Sequence, residues 1–227
     1  MKVTYYGHSC FQVVTGGKKL LFDPFIRYNP LAAHIDVASL KPDVILISHG
    51  HVDHIADAVE IAKNSNALII TNPEICSWLK KQSLDNEMVE LNLGGNKRFE
   101  FANIKMVVAL HSSSLPDGSY GGNPAGFVVE SKEGNFYFAG DTAITMDFKL
   151  IGEWYKLDFA ALPIGDNYTM GTEDAVLCAD FIKCNKIMGV HYNTFPPITI
   201  DKEEAYQQFT DAGKKLILFE IGEERDI

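Results

Sequence analysis

The sequence has few cysteines, a deficit of positive charge and no long apolar run. Its four cysteines are scattered without a C-x-x-C pair, which argues against a disulfide framework or a thiolate zinc site. We therefore expect reduced, mostly buried thiols in a cytoplasmic protein. No run of 18 apolar residues occurs, and the first residues alternate like a strand rather than forming an apolar signal core. Membrane insertion and secretion are therefore not expected.

The charge balance narrows the range of partners. Lys and Arg number 20 against 30 Asp and Glu, a formal net charge of −10. Binding to phosphate backbones relies on many Lys and Arg that release counterions, so long nucleic acids and anionic membranes are disfavoured. The composition, 46% hydrophobic and 22% charged, is ordinary for a globular protein. A chain of this length can form one large core, so residues 1–227 are predicted to be a single domain, and a homo-oligomer is compatible with the sequence.

Strand and helix patterns alternate along the chain. Alternating apolar positions predict an antiparallel meander at the start, and the apolar run at 43–48 predicts a strand buried on both faces. The predicted strands cover 2–6, 11–15, 18–22, 43–48, 67–71, 87–92, 103–110, 126–131, 136–139, 157–162, 186–190 and 215–221. The predicted helices cover 55–62, a segment capped by Asn72, 172–184 with Thr172 as its cap, and 202–211. This mixture predicts an α/β or α+β domain with two sheets that carry helices.

Three imidazoles and a carboxylate lie within residues 49–54, which read His-Gly-His-Val-Asp-His directly after the buried strand. Without compensation these groups would cost desolvation energy at the end of an apolar strand, and their lone pairs suit a divalent cation. Gly50 is expected to let the backbone turn, so that His49 and His51 share one ion while Asp53 and His54 face another. A polar loop without a metal is the alternative, which this density of ligands disfavours.

Three further residues of ligand type follow apolar strands. His111 comes after the strand at 103–110, Asp141 after that at 136–139, and His191 after that at 186–190. A single histidine at a strand end is more often structural. Together with residues 49–54, however, four strand ends present seven nitrogen and oxygen ligands, which predicts a metal centre.

This pattern resembles the metallo-β-lactamase fold superfamily, whose signature is H-x-H-x-D-H followed by a distant His, a bridging Asp and a last His. The resemblance covers nearly the whole chain and implies a four-layer αββα sandwich with a dinuclear site. By this resemblance the ligands of one ion are His49, His51 and His111, those of the other are Asp53, His54 and His191, and Asp141 bridges the two. The segments at 7–11, 23–25, 162–171 and 191–194 resemble one branch, the compact metal-dependent hydrolases of unassigned substrate beside the L-ascorbate-6-phosphate lactonases.

Two early residues are candidates for supporting roles. Asp23 resembles the early Asp of the superfamily, which hydrogen-bonds a ligating histidine from behind, and a turn Asp before a proline is the alternative. The resemblance places His8 at the cleft as a catalytic candidate, a donor to substrate or oxyanion, and a plain structural histidine is the alternative.

Candidate substrate-binding residues lie in two loops. Asp166, Asn167 and Tyr168 follow the strand at 157–162 on the side of the ligands, and a polar loop leading to a helix is the alternative. Asn193, with Thr194, follows the last ligand and could donate to an oxyanion, whereas turn chemistry is the alternative.

The predicted activity is that of a metal-dependent hydrolase, which uses a metal-bridged hydroxide oriented by Asp53 on a small ester, lactone or phosphoester. Zinc is the first expectation for the two divalent ions, and manganese, iron and nickel accept the same ligands. Two bound ions would bring the charge to −10 + 4 = −6, which leaves room for a small anionic substrate.

Other functions remain open on the same scaffold. They are a phosphodiesterase or nuclease, an iron-dependent oxidoreductase, and a non-catalytic metal-dependent sensor. The di-iron reductases of the superfamily carry a carboxylate where this sequence has His51, which lowers the expectation of redox chemistry. The complete ligand set argues against the sensor.

Overall fold

The computed structural model describes residues 1–227 and contains fourteen strands and six helices. In chain order the strands are β1 (Lys2–Gly7), β2 (Cys10–Thr15), β3 (Lys18–Phe22), β4 (Val44–Leu46), β5 (Leu68–Thr71), β6 (Met88–Glu90), β7 (Asn96–Arg98), β8 (Asn103–Val108), β9 (Ala125–Ser131), β10 (Gly134–Phe138), β11 (Phe159–Pro163), β12 (Lys186–Val190), β13 (Lys215–Ile217) and β14 (Glu224–Asp226). The helices are α1 (Val52–Ile55), α2 (Ala58–Ser65), α3 (Pro73–Lys81), α4 (Asp147–Trp154), α5 (Thr172–Phe181) and α6 (Lys202–Asp211).

The strands form two mixed sheets of similar design. The first has the order β14-β1-β2-β3-β4-β5-β6 and the second the order β13-β12-β11-β10-β9-β8-β7. In each sheet a run of antiparallel pairs, β1 to β3 or β7 to β10, continues into parallel pairs, β3 to β6 or β10 to β13. The predicted opening meander is therefore present, and each sheet combines a meander with strand–helix units.

The two sheets pack face to face over an aromatic core. Phe11 stacks on Phe22 of the same sheet at 4.7 Å between ring centroids, and Phe138 of the opposite sheet packs edge-on against both. Such pairs contribute about 0.5–1.5 kcal/mol each beyond the area they bury. Separate apolar clusters bury α1 to α3 against the outer face of the first sheet and α4 to α6 against that of the second. The architecture is the expected four-layer αββα sandwich.

The helix predictions hold with local differences. The segment at 55–62 is divided between α1 and α2, because the Asp57 carboxylate turns inward and accepts the backbone N–H groups of Ile26 and Arg27. Asn72 caps α3 as predicted, since its side chain accepts the N–H of Ile75. The N-cap of α5 is Gly171 rather than Thr172, which is the first helical residue.

Three elements were not predicted, namely β7, β14 and α4. All residues of β7 and β14 are exposed, so these strands have no apolar alternation and are defined by backbone pairing with β8 and β1. No side chain caps α4, and its outer side leaves Leu150 and Trp154 exposed. None of the helices has both the length and the apolar character needed to span a bilayer.

The topology brings four strand ends to one rim of the sandwich. Strands β8, β10 and β12 run in the same direction in the second sheet, and β4 faces them from the first. The residues that follow these four strands include His111, Asp141, His191 and the segment 49–54. All seven candidate ligands therefore lie at this rim.

Candidate metal centre

The segment 49–54 contains four candidate ligands. It consists of a short extended stretch followed by the first turn of α1. His51 is the N-cap of α1 but makes no side-chain capping bond, so its ring is free to face the cleft. The first turn of α1 then carries Asp53 and His54. Gly50 does not adopt a positive φ, contrary to the expectation of a turn. A Cβ at this position would lie 3.1 Å from the side chain of Leu115, so close packing accounts for the glycine.

The Asp141 carboxylate is the centre of the cluster. Its side chain is 2% exposed, and Gly140 precedes it with φ +63. Asp141 Oδ2 lies 3.0 Å from His191 Nε2, 3.2 Å from His54 Nε2, 3.6 Å from His111 Nε2 and 3.9 Å from His49 Nε2. One carboxylate oxygen thus faces four imidazole nitrogens that come from three different strand ends.

Two groups of donor atoms lie on either side of this carboxylate. One consists of His49, His51 and His111, and the other contains Asp53, His54 and His191 together with His8. Within the first group His49 Nε2 lies 3.0 Å from His51 Nδ1. In the second, Asp53 Oδ2 lies 3.8 Å from His54 Nε2 and 3.7 Å from His191 Nε2. The structure therefore brings all seven candidate ligands together at one centre, where their assignment to two ions stays a prediction.

Asp23 controls the orientation of one ligand histidine from each group. This fully buried carboxylate accepts hydrogen bonds from His54 Nδ1 at 2.7 Å and from Ser48 N and Oγ at 2.7 and 2.5 Å. Because the Ser48 hydroxyl donates its only hydrogen to Asp23, it accepts from His49 Nδ1, 3.0 Å away. His54 and His49 are thus both protonated on Nδ1, so that Nε2 of each ring is the nitrogen available to an ion.

The donor set fits divalent ions. His54 Nε2 and Asp141 Oδ1 are buried atoms without a hydrogen-bond partner, and buried polar atoms are rarely left unpaired. A tetrahedral zinc with bonds of about 2.0–2.1 Å would place its ligand atoms about 3.3 Å apart. The separations of 3.0 to 3.9 Å around Asp141 Oδ2 are close to this value.

The electrostatics favour ionised carboxylates and a neutral His49 at the centre. Burial, with His54 nearby, lowers the pKa of the His49 ring well below its ordinary value. Burial raises the pKa of the Asp53 carboxyl, but His54 and His191 outweigh it and leave the pKa far below its usual range. The same two histidines outweigh burial at Asp141 and hold its pKa well below the ordinary value. Both carboxylates are therefore ionised, and His49 is neutral. The same two carboxylates, Asp141 first, outweigh burial at His54 and His191 and raise the pKa of His54 well above its ordinary value and that of His191 to about 9. An ion that bound there would displace a proton from each of these two rings.

His8 lies behind Asp53 rather than at the open side of the cleft. The residue is 1% exposed, and both of its ring nitrogens are engaged, Nε2 with Asp53 Oδ2 at 3.1 Å and Nδ1 with Thr194 Oγ1 at 2.9 Å. Burial, with repulsion from His191, lowers the pKa of His8 to about 4. Sequence reasoning suggested a role for His8 at the cleft but did not anticipate its contact with Asp53.

Four of the nine non-glycine residues with left-handed backbone lie at or beside the centre. Positive φ angles occur at His8 (56°), Asp23 (39°), His191 (55°) and Asn193 (59°), although none of these is glycine. Such conformations are uncommon for non-glycine residues and cost of order 1–3 kcal/mol each when the surrounding structure imposes them. The surrounding structure therefore stabilises an unfavourable backbone conformation at these residues, which fixes the direction of each side chain.

The candidate substrate-binding residues lie around the centre without a hydrogen bond to a ligand side chain. Asp166 lines a cleft of about 480 Å³ between the starts of α5 and α6, which none of the metal ligands line. The Asn193 side chain accepts the N–H of Ile200. Tyr168 is 56% exposed, and Asn167 is exposed beside it.

Comparison with known proteins gives the class of this domain. Residues 2–191 match the family model described as "Beta-lactamase superfamily domain". The αββα sandwich and the ligand set at its rim agree with that match. The protein is therefore a metallo-β-lactamase fold protein.

Relatives along the full chain narrow the class to a family. A "UPF0173 metal-dependent hydrolase" of Flavobacterium johnsoniae is 51% identical over 223 residues, 98% of each chain. The solved structure of Igni18, described as a novel metallo hydrolase from Ignicoccus hospitalis, matches with a TM-score of 0.88 at 34% identity and covers 99% of this chain and 97% of its own. An isothiocyanate hydrolase from Delia radicum gut bacteria shares the fold, with a TM-score of 0.80 at 21% identity over 100% of this chain and 99% of its own. The chain belongs to the UPF0173 family and is a metal-dependent hydrolase.

Proposed function

We propose that the protein hydrolyses a small ester, lactone or phosphoester at a dinuclear centre built from all seven ligands. The observation that carries this proposal is the convergence of four imidazole Nε2 atoms on Asp141 Oδ2, with His54 Nε2 left without a partner. Because the ligands come from both sheets, we also propose that residues 1–227 act as one domain.

Each proposed ion has three ligands of its own and shares the bridging carboxylate. His49, His51 and His111 would hold one ion, Asp53, His54 and His191 would hold the other, and Asp141 would lie between them. When bound, the two ions would polarise the scissile carbonyl or phosphoryl group and lower the pKa of a bound water. Zinc is the first candidate for this set of nitrogen and oxygen ligands, and manganese, iron and nickel are compatible.

The open side of the cleft is where Asp53 would act. Its side chain is 30% exposed, whereas those of His54 and Asp141 are 0% and 2% exposed. Its low pKa keeps the carboxylate ionised, so it can accept a hydrogen bond from an attacking water and orient it. We assign this catalytic role to Asp53 in addition to its role as a ligand.

The charge of the centre supports a small and anionic substrate. Two divalent ions against Asp23, Asp53 and Asp141 would leave a local charge of +4 − 3 = +1 on a chain whose formal net charge is −10. Such a site attracts a small anion, whereas the acidic body repels a long polyanion. We retain Asn167 and Tyr168 as candidate substrate-binding residues, because their loop is joined to the strand end of Asp141 by the hydrogen bond from Met170 N to Thr142 O at 3.0 Å. Asp166 lines a different cleft, and the Asn193 side chain accepts a backbone N–H within its own turn.

The four cysteines support a reducing compartment. All are free and buried, and disulfides are rare in the cytosol. We therefore propose a cytoplasmic location.

The proposed function is tested with metal-depleted protein reloaded separately with zinc, manganese, iron and nickel. Each form is assayed on lactones, carboxyl esters, phosphodiesters and cyclic nucleotides, beside Asp141→Asn and the control His34→Gln. The control changes an exposed histidine whose ring pairs with the backbone carbonyl of Ile221. Hydrolysis that requires metal and is lost only in Asp141→Asn supports the proposal. Equal turnover by the metal-depleted protein contradicts it, and stoichiometric redox-active iron without hydrolysis indicates the oxidoreductase instead.

A further inference from the structure

Asp53 depends on a single hydrogen-bond donor among the residues of this chain. Its carboxylate accepts from His8 Nε2 at 3.1 Å, while His54 and His191 lie 3.8 and 3.7 Å from the same oxygen. Elsewhere in the centre two candidate ligand histidines are oriented by outer partners, His54 by Asp23 and His49 by Ser48. The corresponding outer partner of Asp53 is His8.

The ring of His8 is fixed from several sides. Thr194 Oγ1 lies 2.9 Å from Nδ1, and the ring packs edge-on against Phe25 and Phe195 with centroids 5.4 and 5.5 Å away. The side chain is fully buried. A ring confined in this way presents Nε2 in one direction, toward Asp53.

The backbone of His8 is fixed as well. Its left-handed conformation, φ 56, is maintained by its carbonyl oxygen, which accepts the hydroxyl of Tyr5 at 2.9 Å and the N–H of His191 at 2.9 Å. His8 lies between β1 and β2 of the first sheet, and His191 follows β12 of the second. The residue is therefore held at the junction between the sheets, and a displacement of its backbone would also displace the ring that contacts Asp53.

The hydrogen-bond chemistry assigns the tautomer. An ionised carboxylate only accepts hydrogen bonds, so His8 Nε2 carries the proton that it donates to Asp53. In the neutral ring Nδ1 is then an acceptor, and the hydroxyl of Thr194 donates its hydrogen to it at 2.9 Å in preference to the carbonyl oxygen of Tyr192 at 3.4 Å. Thr194 thereby favours the one tautomer of His8 that can hold Asp53.

We propose that His8, oriented by Thr194, is a positioning residue that holds the Asp53 carboxylate in place for its metal ion and does not touch the substrate. The proposal rests on the proposed role of Asp53 as a ligand. It differs from direct coordination by His8, which the proximity of His8 to Asp53, His54 and His191 would also allow.

The test measures metal affinity rather than turnover. Metal-free protein is titrated with Zn²⁺ against a chromophoric chelator, so that the two binding steps are resolved in the wild type, His8→Ala, His8→Gln and Thr194→Val. Loss of an outer partner typically weakens metal binding about 10- to 100-fold. In His8→Ala we expect this loss for the ion assigned to Asp53, His54 and His191. Binding of the ion assigned to His49, His51 and His111 is expected to be unchanged. His8→Gln keeps an N–H donor of similar reach and is expected to recover most of the affinity. Thr194→Val is expected to have a metal affinity between those of His8→Ala and His8→Gln, because without the hydroxyl His8 can also adopt the tautomer that does not donate to Asp53.

Matched controls separate this effect from a general loss of structure. His34→Gln and Thr210→Val make the same substitutions at exposed positions and are expected to retain both binding steps. Wild-type affinity in His8→Ala contradicts the proposal, and so does an affinity of His8→Gln as low as that of His8→Ala, the result that direct coordination would produce. If His8→Ala does not fold, judged by circular dichroism, the comparison of His8→Gln with Thr194→Val decides. Because turnover is not measured, failure of the hydrolase assay and failure of this proposal are separate outcomes.

Discussion

Replacement of Asp23 by asparagine tests how the fold orients its ligand histidines. The substitution preserves shape but exchanges one carboxylate oxygen for an NH₂ donor. If the amide oxygen remains on Ser48 N, the new NH₂ group faces His54 Nδ1, which lies 2.7 Å from the native oxygen. His54 must then either move its proton to Nε2, the atom proposed to bind the ion, or keep a buried donor against another donor.

The magnitude follows from that choice. A buried donor left unsatisfied costs about 1–3 kcal/mol, and 1.36 kcal/mol corresponds to about tenfold in an equilibrium constant. Asp23→Asn is therefore expected to weaken one metal-binding step by roughly 5- to 160-fold. Chelator competition with Zn²⁺ measures this loss, and circular dichroism checks that the fold is retained.

Asp57→Asn is the matched control for this substitution. Asp57 is also a buried carboxylate, 2% exposed, but it accepts the backbone N–H groups of Ile26 and Arg27 through one oxygen and makes no hydrogen bond to a ligand. The amide oxygen of asparagine can replace that oxygen, so wild-type metal affinity is expected. Unchanged affinity in Asp23→Asn, or an equal loss in Asp57→Asn, would refute the tautomer argument.

Three other perturbations have defined outcomes. Removal of the metal by a chelator should lower the melting temperature by about 5–11 °C in calorimetry. An ion at 100 times its Kd adds about 2.7 kcal/mol to the free energy of unfolding, and each kcal/mol shifts the melting temperature of a chain of this size by about 2–4 °C. An unchanged melting temperature would contradict the ligand assignment. Ser48→Ala removes the acceptor of His49 Nδ1. It should weaken binding of the ion assigned to His49, His51 and His111 about tenfold, which isothermal titration calorimetry would detect. Gly140→Ala and Gly17→Ala both place a side chain at positive φ, but only Gly140 gains a Cβ 2.5 Å from a backbone oxygen, that of Ala125. Urea denaturation should therefore show about 1–3 kcal/mol more loss for Gly140→Ala, and equal losses would contradict the steric argument.

The sandwich and the clustering of the candidate ligands at its rim were predictable because apolar strands and dense imidazoles leave strong signals. The strand Lys18–Phe22 and the helix Lys202–Asp211 have the predicted bounds, since burial imposes a clear period on both. The strand Glu224–Asp226 has no such signal, because all its side chains are exposed and only its backbone pairs with β1. The separate helix at 147–154 was missed because it has no side-chain cap and carries Gly152 near its end.

The supporting residues were predictable only in part. The resemblance to the superfamily suggested the orienting role of Asp23, but its link to His49 runs through Ser48, a residue that nothing in the sequence marks. The contact between His8 and Asp53 joins residues 45 positions apart. Such long-range hydrogen bonds depend on the packing of the two sheets, which the local pattern does not encode.

The delivery of ligands from distant strand ends has a consequence for biosynthesis. Residues 49 and 191 are separated by 191 − 49 = 142 residues, which translation at ~5–20 residues per second spreads over roughly 7–28 s. At the start of that interval the ribosome carries a nascent chain with three closely spaced imidazoles, before His111, Asp141 and His191 have been added. The finished geometry requires the later strands, so selective loading of the pair of ions is an event that follows synthesis, and the growing chain is the stage most exposed to capture of the wrong ion.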